Sequence, residues 1–433
     1  MSRTIAGALV FALALMSTAF AADTYPRLAT YALGSPQDFW DPAYQKRVAG
    51  VQVAILGVFP GWGSGRGLTT NDAARMIKTL NPNTKVVYYV RGESLAYPGN
   101  PVFASLNAKV DAEKWWLYTS GTNGVKVLSD YGNNEYILNV TPTSRKDASG
   151  KTFSQWFGGY VVSTYVTPNP STDGVYTDNV FYAPRRDGDW DLNGTLDSHT
   201  NPAVQASFRA GYAQYATAFR AAAPGKYNIV NAADWVVTGV TLTEYVGQFH
   251  GGLIEHFIGR PYSVESYLGW QALMTGYRKV MATLAAPKLA VCSQDGSIAD
   301  YQAMRYGLAS CSMDDGYYDF SNDARIDYGT PWFDEFDVKL GAAASGAQTT
   351  AWQAGVYRRD FEKGIVLVNP KGNGPRTVTL ESDFVKIKGS QDPVVNNGQT
   401  VRTVTLKDRD GLFLLRSAAV VRPEAPGNLT VSP

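Results

Sequence analysis

Two cysteines and three histidines are all that the 433 residues contain of those types. Cys292 and Cys311 can close one bridge in an oxidising compartment or stay as two buried thiols, but they cannot build a disulfide scaffold. His199, His250 and His256 are scattered, with no HExxH and no cysteine pair beside them, which argues against a catalytic zinc centre. A GxSxG elbow is also missing, and the glycine loop GWGSGRG at 61–67 lacks the spacing and the lysine of a phosphate loop. Charge of neither sign dominates: 39 basic against 38 acidic residues leave a net +1, so no global field favours nucleic acid or an anionic membrane. Beyond the N-terminus no segment reaches the roughly 18 apolar residues of a membrane span, so stable membrane insertion is not expected. No organic cofactor is called for, and the expected partner is neutral or read locally.

What is present begins with an export pattern. Arg3 precedes an apolar stretch from Ile5 to Met16, and Ala19-Phe20-Ala21 supplies a small-residue cleavage site, so 1–21 reads as a signal peptide and the mature protein as secreted or periplasmic. Aromatics are plentiful, with 26 Tyr and 10 Trp, and flat rings suit the apolar faces of sugars as well as a core. From Leu28 to Gly341, eight β-branched and aromatic runs (LATYAL, VQVAILGVF, TKVVYYV, DGVYTDNVF, YNIVNAADW, GGLIEHFIG, KLAVCSQ, DGYYDF) alternate with segments of helical period such as NDAARMIKTLNP and ESYLGWQALMTGYRKVMATLAAP. This predicts an α/β fold, a (β/α)8 TIM barrel over 22–341, in preference to a doubly wound open sheet, which would carry a glycine-rich phosphate loop after its first strand. The stretch from Arg91 to Ser171 is too long for one helical return and predicts an inserted subelement. Alternating runs broken by Gly, Pro and Asn over 342–417 predict a small C-terminal antiparallel β domain, a β-sandwich, followed by a Pro-rich tail at 418–433.

Barrel enzymes carry their chemistry where strands end, because the following loops converge on one face. Asp178 directly follows the strand Gly174-Val175-Tyr176-Thr177, and Glu255 follows Gly251-Gly252-Leu253-Ile254. A carboxylate at the end of a buried apolar strand is costly unless paired or used, although a salt bridge, for Glu255 one to Arg260, would also account for it. Two such acids, two strands apart, are the equipment for splitting a glycosidic bond: one protonates the departing oxygen while the other attacks the anomeric carbon or activates water. Asn179, Asn231, Asp234, Gln294 and Trp62 are the candidates for binding sugar hydroxyls, each also suited to a cap or a turn. Glu93, Asp295 and Asp315 are lesser candidates.

After the fourth strand, Asp189, Asp191, Asn193, Thr195 and Asp197 place oxygen donors at positions one, three, five, seven and nine of a calcium-type loop with Gly194 at six. Thr200 stands where the bidentate Glu belongs, so an acid such as Asp187 would have to complete the shell. A structural Ca2+ that stiffens the loop beside Asp178 is the expectation.

From Tyr31 to Arg416, through GVYTDNVFY, LIEHF and PWFDEFDVKLG, the sequence resembles the glycoside-hydrolase-like TIM-barrel proteins of bacteria, and its site layout is similar to that of the α-galactosidase clan. That resemblance implies a barrel with a C-terminal β domain, Asp178 as nucleophile and Glu255 as acid/base; the clan usually has Asp at the second position. The function expected is hydrolysis of O-glycosidic bonds in a polysaccharide or oligosaccharide, the alternative being a noncatalytic glycan-binding or cell-surface protein on the same scaffold.

Overall fold

Eight short apolar runs pair in parallel around a common core in a computed structural model that describes residues 24–33, 41–57, 69–99, 103–132, 134–237, 239, 241–322 and 330–417. The expected signal peptide, the Trp62 loop and the tail from 418 lie outside these residues. The chain runs β1 (Ala29–Ala32), α1 (Pro42–Ala49), β2 (Val53–Leu56), α2 (Thr70–Leu80) and β3 (Lys85–Arg91). An inserted layer follows, with β4 (Ser94–Ala96), α3 (Ala104–Ala112), β5 (Glu135–Ile137) and α4 (Phe153–Val161). The barrel resumes with β6 (Gly174–Asp178), α5 (Pro202–Ala222), β7 (Tyr227–Asn231), β8 (Gly251–Ile254), α6 (Val264–Leu268), α7 (Trp270–Thr283), β9 (Leu289–Gly296), α8 (Tyr301–Cys311) and β10 (Tyr317–Asn322).

Strand order in the sheet is β1-β2-β3-β6-β7-β8-β9-β10. Leu28 bridges in parallel to Tyr318, and the Tyr31 amide donates to Asp319 Oδ1 at 3.1 Å, which brings the last strand beside the first and makes the sheet a (β/α)8 barrel. Period-two alternation does the sorting: Val53, Ile55, Val87, Tyr176, Ile229, Leu253, Leu289 and Val291 fill the interior. Their neighbours Ala54, Val86, Val175, Val230, Ile254 and Ala290 pack under the helices. At Gly174 a Cβ would stand 1.9 Å from the Tyr227 carbonyl oxygen, so only glycine lets β6 lie this close to β7.

Helix limits follow from caps. Thr69 and Asp72 form a reciprocal capping box at α2, and Asn201 with Pro202 opens α5. The segment that reads as one helix over 265–287 is split into α6 and α7 by Gly269, at φ 86°. Between β7 and β8 the return is made by two 3-10 turns, Ala233–Val236 and Thr243–Tyr245, in place of an α-helix. Among the described residues no helix is long and apolar enough to cross a membrane.

The C-terminal strands β11 (Tyr357–Phe361), β12 (Gly364–Asn369), β13 (Arg376–Lys386), β14 (Thr400–Leu406) and β15 (Asp410–Arg416) form one antiparallel sheet, ordered β11-β12-β15-β13-β14. It is a single coiled sheet where the sequence reading expects a sandwich. The 11-residue β13 pairs with both β14 and β15 and shifts register between Thr379 and Phe384, so one sheet bends around its own core of Ile365, Leu367, Val378, Phe384 and Leu414. Its other face packs on α8. Cys292 and Cys311 are buried free thiols in hydrogen-bond contact, and burial pushes the Cys292 thiol far up.

Candidate active site

Counting two residues beyond each interior side chain places a second, polar layer at the carboxyl end of the barrel. Tyr89 gives way to Arg91, Tyr176 to Asp178, Ile229 to Asn231 and Leu253 to Glu255. These four line one cleft of about 800 Å³ together with Tyr31, Asp234, His256, Tyr262 and Tyr267. Asp178 and Glu255 therefore share a site.

One side chain joins them. Asn231 Nδ2 donates to Asp178 Oδ1 at 3.0 Å and to Glu255 Oε2 at 3.1 Å. Because both oxygens bond the same nitrogen, they lie no more than about 6 Å apart. Asp178 also accepts from Tyr89 Oη at 2.6 Å on Oδ2 and from the Asn179 amide at 2.9 Å on Oδ1. Burial, reinforced by the Asp178 charge, holds the Tyr89 phenol far above its usual range, so it remains a donor. Each acid is followed by a residue in the left-handed region, Asn179 at φ 59° and His256 at φ 54°. The chain thus leaves the barrel sharply after each carboxylate.

The other expected residues divide. Asn179 lines the cleft, and its Oδ1 accepts from Tyr131 Oη at 3.2 Å. Asp234 stands in the cleft wall on the first 3-10 turn, with Oδ2 on the Tyr182 amide at 3.1 Å and Oδ1 without a hydrogen-bond partner among the described residues. Burial pushes its carboxyl up to about 7. Glu93 is buried behind the cleft, and burial pushes it up to about 8, with Asp130, Asp178 and Asp234 adding to the effect and Arg185 opposing it. Gln294 does not reach the site: Nε2 donates to the Ala303 carbonyl at 3.1 Å, and Oε1 accepts from Tyr318 Oη at 3.0 Å. Alternation on β9 turns Ser293 and Asp295 inward and Gln294 out toward α8. Asp315 precedes β10 instead of following it, so it sits at the opposite mouth, bonded to Arg359 and Tyr25. Trp62 lies outside the described residues.

Other cleft residues carry no strand-end acid signal. Tyr89 and Arg91 were findable from strand parity alone, whereas Tyr131 comes from the inserted layer, where no local pattern marks it. Arg91 pairs with Glu135 at 3.0 Å, and Arg185 lies over the Phe181 ring at 4.3 Å. Arg260 bonds Asp295.

The acidic loop gathers oxygens of Asp189, Asp191 and Asp197 within 4.8 Å of one another. Asp189 Oδ1 accepts from the Asn193 amide at 3.0 Å and Oδ2 from the Gly194 amide at 2.7 Å, while Asp197 Oδ2 accepts from the Trp190 amide at 3.0 Å. Asn193 spends its side chain inside the loop, on Asp191 and the Thr195 amide. Asp187 is turned to His199, at 2.6 Å, and does not join the group. The donor set is hard oxygen and suits calcium, but the twelfth-position carboxylate has no substitute among the described residues.

A sequence model of the family described as hypothetical glycosyl hydrolase family 15 matches residues 78–365. No curated protein matches the chain. Similar solved structures include a variant of the GH36 α-galactosidase AgaA from Geobacillus stearothermophilus in complex with stachyose, 9% identical with a TM-score of 0.45 over 91% of this chain and 57% of that one. The cycloalternan-degrading enzyme from Trueperella pyogenes is 12% identical, with a TM-score of 0.48 over 90% of this chain and 62% of that one. The glycoside hydrolase domain of PelA from Pseudomonas aeruginosa is 10% identical, with a TM-score of 0.41 over 71% of this chain and 98% of that one. This chain spans less than two thirds of the first two proteins.

Proposed function

The chain belongs to hypothetical glycosyl hydrolase family 15, and from that premise we propose that it hydrolyses O-glycosidic bonds of a polysaccharide or oligosaccharide, with Asp178 as nucleophile and Glu255 as acid/base. The single observation that carries this reading is Asn231, whose amide nitrogen bonds both carboxylates across one cleft. Carboxyl groups about 5–5.5 Å apart suit retention, and separations of roughly 6.5–9.5 Å leave room for the water of inversion. A shared hydrogen-bond donor supports the shorter class, hence a covalent glycosyl-enzyme and net retention. Four donors, Tyr89 Oη, Tyr176 Oη, the Asn179 amide and Asn231 Nδ2, converge on Asp178 and hold its carboxyl group in place for attack. In the first half-reaction Asp178 attacks the anomeric carbon while Glu255 protonates the leaving oxygen. In the second, Glu255 takes a proton from water as that water displaces Asp178.

The N-terminal pattern at 1–21 supports action outside the cytoplasm. Convergence of Asp189, Asp191 and Asp197 supports a structural calcium ion, held by these residues and by the Thr195 carbonyl, in the loop between β6 and α5.

The test is release of new reducing ends from a broad panel of glycans. Asp178→Asn and Glu255→Gln each abolish turnover of a glycan that the unaltered protein cleaves. Full activity in either variant removes that residue from the mechanism. Saturable binding with no cleavage of any linkage would favour the noncatalytic alternative.

A further inference from the structure

Successive residues of a strand face opposite sides, so a histidine directly after Glu255 should point away from it. It does not. The left-handed backbone at His256, φ 54°, brings the imidazole round to the cleft, with Nε2 3.6 Å from Glu255 Oε1. Left-handed conformations are unusual for a residue with a side chain and persist where the surroundings hold them. Here they are held well. The His256 carbonyl accepts from Ser263 Oγ at 2.7 Å, and the next amide, of Phe257, donates to the Ser293 carbonyl at 2.8 Å.

The far side of the ring is fixed as firmly. His256 Nδ1 lies 3.0 Å from Asp295 Oδ1, and Asp295 Oδ2 accepts from Arg260 Nε at 2.8 Å and from a second Arg260 nitrogen. Burial opposes ionisation of Asp295, yet the hydrogen bonds and charges of His256 and Arg260 hold its carboxyl well below the usual range. An ionised Asp295 accepts, so Nδ1 carries hydrogen and Nε2 is the nitrogen presented to Glu255. Tyr262 sets its ring edge-on against the imidazole at 4.8 Å and 88°. Around Glu255 stand the phenols of Tyr31 on β1, Tyr89 on β3 and Tyr176 on β6, all kept neutral by burial, along with Asn231 and Asp178. Beyond Asp295, burial above all, with the Asp295 charge adding, pushes Asp319 of β10 up to about 7.

We propose that His256 is a positioning residue for Glu255: its Nε2 stands within ion-pair reach of the carboxyl group, and Asp295 with Arg260 fixes which ring nitrogen faces it. In its catalytic consequence this rests on the acid/base reading of Glu255. The Glu255 proton leaves on the departing oxygen in the first half-reaction and is returned by the attacking water in the second, so the proton count closes over a cycle. The fixed imidazole keeps the carboxyl group directed at the cleft through both.

The test begins without a substrate. The full chain is labelled with 15N-histidine, and the ring signals of its three histidines are followed by NMR across pH, His256→Gln identifying the His256 signals by their loss. Should that variant fail to fold, the half-buried His199→Gln and His250→Gln assign them by elimination. His256 is expected to carry its neutral-state hydrogen on Nδ1, to change its Nε2 chemical shift in Glu255→Gln, and to lose its tautomer preference in Asp295→Asn. A His256 ring with the same Nε2 signal and tautomer in both variants overturns the proposal. On a glycan that the protein cleaves, His256→Gln is expected to move one limb of the kcat pH profile with little change in KM, and an unmoved profile would equally overturn it. Failure of the hydrolase reading shows separately, as absence of cleavage by the unaltered protein while the ring coupling remains.

Discussion

Asn231 has one amide nitrogen and two carboxylates to satisfy with it. Its carbonyl end is used as well, accepting from the Ala233 amide at 3.0 Å, so the side chain cannot rotate without breaking the turn that follows β7. Asn231→Ala is therefore expected to lower kcat by about 100-fold, comparable to losing one preorganised donor in an active site, with fold retained by circular dichroism. A loss confined to thermal stability, with kcat intact, would show that Asn231 serves the turn and not the pair. Glu93 supplies a second residue-level test because its carboxyl, ordinarily at 4.5, is pushed up to about 8 by burial above all. The folded protein holds that proton more tightly than the unfolded chain. The contribution to stability is thus complete below the unfolded value and fades as pH rises through about 8. At about 1.4 kcal/mol per pH unit the loss amounts to roughly 5 kcal/mol at most. Thermal unfolding of Glu93→Gln should show a flatter Tm profile from pH 5 to 8.5 and a gain over the unaltered protein that grows toward alkaline pH; a gain independent of pH would trace to packing.

Elements made the barrel readable from sequence, since each of the eight parallel strands coincides with an apolar or aromatic run whose period of two separates the interior from the helix-facing side. Parity also explains what could be seen of the site: Asp178 and Glu255 each follow their strand's last interior residue by two places. Gln294 shows how narrow that signal is, because a shift of one position on β9 exchanges the cleft for α8. His256 was illegible for the opposite reason, its access depending on a backbone torsion that no residue pattern around it announces. The C-terminal sheet was legible as antiparallel strands but not as one sheet, because the bend in β13 arises from a register shift. The acidic loop was legible by spacing, and its prediction belongs at this scale. Oxygens of Asp189, Asp191 and Asp197 converge between β6 and α5, so an ion there would tie that loop in place. Calcium in excess over its Kd should raise the Tm by mass action, and a chelator should reverse the gain. Asp191→Ala, on the exposed side of the site, should abolish the difference; equal midpoints with calcium and with chelator would remove the ion from the account.

At the scale of the whole molecule two buried cations join the barrel to the C-terminal sheet, Arg359 of β11 on Asp315 and Arg305 of α8. Arg305 of α8 is 1% exposed, and it reaches Asp392 at 2.7 Å, Asp410 at 3.3 Å and Glu335 at 4.0 Å. Packing admits no slack beside it, since a Cβ at Gly411 would stand 2.4 Å from the Arg305 carbonyl oxygen. Burial pushes Glu335 and Asp410 upward, and the Arg305 charge works against that shift. Arg305→Met keeps much of the apolar stem and removes the charge, leaving these acids without their shared partner. Breaking a buried pair from one side typically costs about 3–5 kcal/mol. The sign with pH follows: acids that bind protons more tightly in the folded state stabilise it at low pH and lose that contribution as pH rises. The deficit of Arg305→Met should therefore be larger at pH 8 than at pH 5 by calorimetry. Adding Glu335→Gln, Asp392→Asn and Asp410→Asn should recover part of it at the higher pH. Arg305 stands outside the cleft, so kcat below the unfolding transition should be unchanged. A deficit equal at both pH values, unrelieved by the neutral triple, would assign the junction's strength to shape and leave the charge incidental.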